Sequence, residues 1–239
     1  MTASSTTGCP LGRPDCPLTT ELESLRREVA RLSEQSRVDA LTGLYNLRYL
    51  LECLEQELVR TGRTGQPTAF IMADLDHFKR VNDTWGHEVG NAALTWTAAR
   101  WRRSLRSLDI LCRYGGEEFA IVLPGTGLQE AVMTAERLRR VLESAPFAHE
   151  GEAIPLTASF GVDVYDGDRD LTANELIAGA DAFLLEAKAR GRNRVVSRAL
   201  PRTEVEAEER AALQASLREV TRKARARRPP RRGTGSPPE

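Results

Sequence analysis

The sequence is poor in cysteine, has no long apolar runs and carries no net charge. Its four cysteines, Cys9, Cys16, Cys53 and Cys112, are scattered through 239 residues. They do not form a disulfide framework, and they fit a reducing compartment, so a cytoplasmic location is expected. No apolar run reaches the ~18 residues that a membrane helix needs, so no membrane span is expected. The opening stretch, MTASSTTGCPLGRPDCPL, has no apolar core behind a basic start, and no secretory leader is expected. The 34 Lys and Arg are balanced by 34 Asp and Glu, which excludes a simple polyanion binder and predicts no specific nucleic-acid partner. No repeat of solenoid length is visible. What remains is 41% hydrophobic and 28% charged, ordinary for a soluble globular chain of one domain with appendages.

Residues 1–18, rich in Thr, Ser, Pro, Gly and Cys, read as a flexible segment. Cys9 and Cys16 there would suit metal or redox sensing; zinc wants four ligands and no His lies nearby, though a dimer could supply four thiolates. Residues 19–37 read as a helix whose apolar positions Leu22, Leu25, Val29 and Leu32 follow 3, 4, 3 spacing. That is a heptad seam, either an amphipathic helix on the domain or a short coiled-coil stalk. Residues 38–198 form the domain of catalytic size. A turn at Asp39–Leu44 leads to a helix over 47–61 and an apolar strand over 68–74 ending in carboxylates. Further helices are expected over 89–105, 128–144 and 171–189. Strands are expected over 110–114, 119–123, 154–165 and 194–197, the first two joined as a hairpin through Gly115-Gly116-Glu117-Glu118. The hairpin argues against a purely parallel sheet, so the predicted class is α/β (α+β) with a mixed central sheet flanked by helices. Residues 199–239 read as a charge-laced helix and a basic tail, which either touches an anionic surface or simply solubilises.

Three segments could carry chemistry. Asp74 and Asp76 fall on one face of a strand end, where two carboxylates repel unless a cation such as Mg²⁺ joins them; the alternative is an ordinary charged surface turn. Lys79 follows closely enough to meet a phosphate. Gly115 and Gly116 allow a ligand to approach the hairpin backbone, with Glu117 and Glu118 beside it. The two acidic sites can meet across adjacent strands, an arrangement suited to two divalent ions and nucleotidyl transfer. Lys188 and Arg192 stand four apart at a helix end and would suit a triphosphate, unless they only complement the helix dipole. Trp85, Trp96 and Trp101 read as packing residues.

In order along the chain run D-x-LTGL-x-N, DLDHFKRVNDTWGHEVGN, RYGGEEF, ASFGV and AD-A-F-L-L-EAKARGRNRV. Together they resemble the GGDEF family of diguanylate cyclases over about residues 37–198. The resemblance implies a fold akin to the nucleotide-cyclase and polymerase palm, and condensation of two GTP into cyclic di-GMP and two pyrophosphates. It implies that Asp74, Glu117 and the Leu75 carbonyl hold Mg²⁺, two ions per active site, with Mn²⁺ as a substitute. Glu117 and Glu118 match the acidic pair discussed for deprotonating the 3′-hydroxyl. Lys79, Lys188 and Arg192 match phosphate-side cations, and Asn82 matches a guanine-reading asparagine. His87 lies in the matching segment of the base or sugar pocket, and Gly115 and Gly116 give the nucleotide room.

One departure concerns selectivity. Asn91 stands where the family usually has Asp. An amide offers one acceptor and one donor, whereas a carboxylate accepts from both guanine donors. The mismatch costs about 1–3 kcal/mol, which opens a relaxed GTP/ATP selectivity. Leu47 and Leu185 replace a usual Arg and Tyr. The R-x-x-D pair Arg106 and Asp109 matches the family's inhibitory site for cyclic di-GMP, with Arg113 as an additional arginine; the competing reading is an i,i+3 helix pair. Ring closure needs two GTP sites face to face, so a C2 homodimer is expected, with the heptad seam as its stalk. The competing class is an inactive cyclic di-GMP receptor.

Overall fold

The structure, a computed structural model, describes residues 21, 22, 24–26, 28, 37–168 and 170–199. Of the expected stalk, the described positions between 21 and 28 are helical; Val29 and Leu32 of its seam lie outside the described residues, as do Cys9, Cys16 and the basic tail. The chain divides into two units, residues 1–198 and 199–239, and only Ala199 of the second is described. Among the described residues no helix is long and apolar enough to cross a membrane.

In chain order the elements are β1 (Tyr45–Asn46), α1 (Leu47–Thr64), β2 (Thr68–Leu75), α2 (Phe78–Trp85), α3 (His87–Ser104), β3 (Ile110–Gly115), β4 (Glu118–Pro124), α4 (Leu128–Glu143), β5 (Phe147–His149), β6 (Glu152–Ile154), β7 (Ala158–Tyr165), α5 (Ala173–Ala189) and β8 (Val195–Ser197). Six strands form one sheet in the order β1-β3-β4-β2-β7-β8. The outer pairs β1–β3 and β7–β8 are parallel and the inner three pairs are antiparallel, so the sheet is mixed, as the hairpin predicts.

Every residue of β2 is buried, because helices cover both faces of the sheet. Alternation divides its side chains. Ala69, Ile71, Ala73 and Leu75 join one core with residues of α3 and α4, while Phe70 and Met72 join a second with residues of α1 and α5. Trp101 fills the first core. Its indole N–H donates to the Leu138 carbonyl at 3.1 Å, and its ring meets Phe119 and Phe160 at 5.0 and 5.5 Å between centroids. Trp96 packs edge-on against Phe147, whereas Trp85 is exposed. In the second core, α5 crosses β7 at Gly161, where a Cβ would stand 2.0 Å from the Ala180 carbonyl oxygen.

Local signals set the helix ends. The Asn46 side chain accepts from the Tyr49 N–H and starts α1, and Gly65 ends it at φ +69°. Thr172 and Glu175 form a reciprocal capping box at α5.

Three expectations about elements need correction. A separate short helix, α2, precedes α3, with His77 at φ +56° before it and Gly86 at φ +86° between the two. The single strand expected over 154–165 is interrupted after Ile154, where Pro155 removes a backbone donor. Its first part pairs with β5 in a separate two-stranded ribbon. The two-residue β1 falls between the expected turn and the expected helix, where no strand is expected.

Candidate active site

The antiparallel pairing of β2 with β4 sets Asp74 directly opposite Glu118, and the pairing with β7 sets Asp74 opposite Ser159. By parity Asp74 lies on the α5 side of the sheet. There Lys188 of α5 reaches it, with Nζ 2.8 Å from Asp74 Oδ2. The hairpin turn closes against the same strand end, where the Leu75 N–H donates to the Glu117 carbonyl at 3.3 Å. The strand end and the hairpin tip expected to meet do so.

Burial pushes the Asp74 carboxyl above its ordinary range, while Lys188 pulls it back and Asp76 adds repulsion. Glu118 is pushed up in the same sense, by burial first and then by Asp74, with Asp181 and Glu117 adding to it against the pull of Lys188. Burial also raises the Tyr114 hydroxyl, with Glu118 and Asp181 contributing. Several carboxylates therefore crowd one half-buried corner in which Lys188 makes the direct ion pair. A hard divalent cation suits that donor chemistry. No trio of Asp, Glu, His or Cys side chains among the described residues is arranged to hold a metal unaided. Asp74, Glu117 and the Leu75 carbonyl supply only two side chains, so their fit rests on carboxylate chemistry and on the local shortage of positive charge.

The glycines leave the corner open on one side. A Cβ on Gly115 or Gly116 would meet nothing within 4 Å, and Gly116 holds φ +47°. Lys79 sits exposed in the first turn of α2. Asn82, on the same helix, lies against Gly90 of α3, whose hydrogen occupies space that a Cβ would share with Asn82 Oδ1 at 1.9 Å. His87 and Asn91 are exposed on α3. Arg192 follows α5 in a turn at φ +61°.

The R-x-x-D pair lies elsewhere. Asp109 Oδ2 accepts from the Arg106 backbone N–H at 2.8 Å. Both residues line a groove of about 390 Å³ with Tyr45, Arg102, Leu105, Ser107 and Leu111. Arg113, expected beside them, is not among the residues lining this groove. Its Nε and Nη2 donate to the Gly116 carbonyl at 3.0 and 2.8 Å, and its Nη1 lies 3.3 Å from Asp39 Oδ2. Asp39 in turn accepts from the Thr42 N–H and hydroxyl at 2.8 and 2.6 Å. Arg113 thus ties the Asp39 turn to the glycine hairpin.

The family model for the diguanylate cyclase GGDEF domain matches residues 36–194. The chain belongs to the GGDEF family. Response regulator PleD of Caulobacter vibrioides is 40% identical over 177 residues, covering 73% of this chain and 39% of PleD. This chain thus spans about two fifths of that relative's length. Among solved structures, it is similar to the diguanylate cyclase SiaD of Pseudomonas aeruginosa, solved with its activator SiaC, at 39% identity and TM-score 0.65, over 75% of this chain and 69% of that one. It is also similar to the coiled coil and GGDEF domain of DgcB from Caulobacter crescentus, solved with c-di-GMP, at 27% identity and TM-score 0.64, over 75% and 94% of the two chains.

Sequence reasoning passed over Gly90, Asp181 and the Asp39–Arg113 tie. Gly90 carries a signal, a glycine in a helix following an asparagine-bearing helix; Asp39 and Asp181 fall inside the blocks D-x-LTGL-x-N and AD-A-F-L-L, but the residues they act on are remote in sequence and nothing local spells out that role.

Proposed function

We propose that this domain is a cytoplasmic diguanylate cyclase, condensing two GTP into cyclic di-GMP and two pyrophosphates. The observation that carries the reading is the register of Asp74 against Glu118 beneath Lys188. In each half-reaction a 3′-oxygen attacks the α-phosphorus of the other nucleotide, the hydroxyl proton leaves to a base, and pyrophosphate departs. Glu118 and Glu117 are the bases at hand, and a carboxylate with raised proton affinity is the better acceptor. Asp74, Glu117 and the Leu75 carbonyl would hold two Mg²⁺, or Mn²⁺, which neutralise phosphate charge and acidify the 3′-hydroxyl when bound. Lys79, Lys188 and Arg192 hold phosphates. Their positive charge stabilises the transition state more than the ground state. Asn82, His87 and Asn91 form the base pocket, and Gly115 and Gly116 admit the nucleotide.

One domain presents one such site, so ring closure requires two domains facing each other in a C2 homodimer. The stalk expected over residues 19–37 would join them, and charged residues at Leu25 and Val29 should leave a monomer with little activity. The groove holding Arg106 and Asp109 takes cyclic di-GMP as inhibitor, because guanidinium forks suit guanine edges and phosphates. Arg113 is left out of that site.

The test is product identification by mass spectrometry, after stripping bound nucleotide and supplying Mg²⁺ with GTP, ATP or both. Cyclic di-GMP alone supports the reading. An adenine-containing product shifts it to a relaxed cyclase with Asn91 as the selectivity switch. No product from dimeric, stripped protein overturns the enzyme and favours a cyclic di-GMP receptor.

A further inference from the structure

Asp76 stands two residues beyond Asp74 and is just as buried, at 8% exposure. The sequence offers it as a second carboxylate for a cation. Its oxygens are already engaged by neutral donors. Oδ1 accepts from the Ser159 hydroxyl at 2.6 Å, and Oδ2 accepts from the Thr157 hydroxyl at 2.8 Å and from the Asn193 backbone N–H at 3.0 Å. Its own N–H donates to the Thr157 carbonyl at 2.8 Å. A carboxylate so enclosed is a structural acceptor.

The Asn193 donor belongs to the turn that follows α5. Gly191, Arg192 and Asn193 hold φ of +108°, +61° and +45° in succession. Two of these are not glycine, and such backbone persists only where its surroundings over-determine it. Here they do, from two directions. On the sheet side, Asp76 takes the Asn193 N–H and the Phe160 N–H donates to the Arg194 carbonyl at 2.9 Å. On the α4 side, Asn193 Oδ1 accepts from Arg139 Nη1 at 3.0 Å and Asn193 Nδ2 donates to Glu143 Oε1 at 2.8 Å. Arg139 is itself held by Glu136 and Glu143 at 3.0 and 2.9 Å. Arg192 leads directly into these anchors; its own N–H donates to the Ala187 carbonyl at 3.0 Å, and it is close enough to Asp74 for its charge to act on that carboxylate.

We infer that Asp76 is a positioning residue: it pins the Gly191–Asn193 turn, with Arg139 and Glu143 closing it from α4, so that Arg192 is aimed at the phosphates of bound nucleotide. The role of those phosphates rests on the cyclase reading; the clip itself does not.

Asp76→Ala tests it. Asparagine could keep the Asn193 N–H on its Oδ1 while its Nδ2 donates to the Ser159 hydroxyl, but alanine takes the acceptor away and leaves the turn only the Phe160–Arg194 bond on the sheet side. The expected result is a rise in the GTP half-saturation of about tenfold with a smaller change in kcat, and an Asp76→Ala/Arg192→Ala double variant no weaker than Arg192→Ala alone. Mn²⁺ binding without nucleotide should stay near the wild-type value in Asp76→Ala and weaken in Asp74→Asn. Additive effects with Arg192→Ala, or loss of Mn²⁺ binding in Asp76→Ala, overturn the inference. Arg139→Gln, at a half-buried position on α4, carries the same test if Asp76→Ala does not fold: it should raise half-saturation non-additively with Arg192→Ala, and additivity again overturns the inference. Wild-type protein is the control. If it makes no cyclic di-GMP the cyclase reading fails, and the same cycles are read as GTP affinity by calorimetry, which judges the clip alone.

Discussion

Gly90 is the point at which the packing of α3 meets Asn82, the residue proposed to read the base. A Cβ there would stand 1.9 Å from Asn82 Oδ1, 3.1 Å from Asn82 Cγ and 3.4 Å from Phe78 Cζ. The nearest obstacle is the end of a flexible side chain, so Gly90→Ala is accommodated by moving the Asn82 amide and leaves the backbone in place. Alanine in a helix gains about 1 kcal/mol over glycine, which offsets the cost of displacing Asn82. Global stability should therefore change by no more than about 1 kcal/mol in urea unfolding. Nucleotide affinity should not survive so well. If Asn82 reads guanine, losing that hydrogen bond costs about 1–3 kcal/mol. At 1.36 kcal/mol per tenfold, GTP affinity falls by about fivefold to 150-fold. The assay is calorimetric titration of GTP with Ca²⁺. In an Asn82→Ala background the obstacle is gone, and Gly90→Ala should then cost little further affinity. Full GTP affinity in a folded Gly90→Ala protein would refute the reasoning, and so would a variant that unfolds, since that would mean the backbone and not Asn82 absorbs the clash.

Three other expectations follow from burial and charge. Gly161→Ala meets backbone, at 2.0 Å from the Ala180 oxygen and 2.3 Å from the Leu184 nitrogen, so it should destabilise by about 3 kcal/mol or more in urea unfolding; near-normal stability would mean α5 and β7 separate easily. Burial, followed by the charge of Asp39, pushes the Cys112 thiol up to about 12, so in a Cys9→Ser/Cys16→Ser protein a thiol reagent at pH 8 should modify half-buried Cys53 and spare Cys112 until the fold is denatured. Burial raises the Asp39 carboxyl, but hydrogen bonds from Thr42 and the Arg113 charge outweigh it and hold it below its ordinary range. Its contribution is thus present at neutral pH and shrinks once pH falls below the ordinary carboxylate range and through the lowered folded-state value, so Asp39→Asn should cost about 1 kcal/mol at pH 7 and progressively less as the pH is taken into the acid range.

What the sequence made legible was what short-range pattern encodes. The apolar run before Asp74 and the Gly-Gly between two strands predict β2 and the hairpin, and their pairing brings the acidic residues together. The helix α2 was hidden because DHFKRVNDTW is largely polar and opens on His77 in the left-handed region. The roles of Asp76 and Arg113 were hidden by distance along the chain. Asp76 finds its donors 81, 83 and 117 residues away, and Arg113 finds Asp39 74 residues away. Nothing in the local spelling distinguishes a carboxylate that a fold will satisfy from one that it will leave open.

Asp74 and Asp76 show why that distinction decides function. A buried carboxylate needs compensation, and neutral donors and cations supply it differently. Asp76 is compensated by fixed neutral donors from two elements, so its charge is stabilised whether or not a ligand is bound, and the donors are held in return. Asp74 is compensated by an ammonium on a flexible stem and is repelled by neighbouring carboxylates. Lys188 can swing to a phosphate when one arrives, and Asp74 then needs a new cation. Substrate phosphate and divalent ion should therefore bind with positive coupling at Asp74 and without it at Asp76. Lys188→Met sharpens the expectation: with the resident ammonium gone, Mn²⁺ should bind the nucleotide-free protein more tightly than wild type, while the enhancement of Mn²⁺ binding by GTP shrinks. Weaker Mn²⁺ binding in that variant would mean that Lys188 organises the corner and does not compete for it.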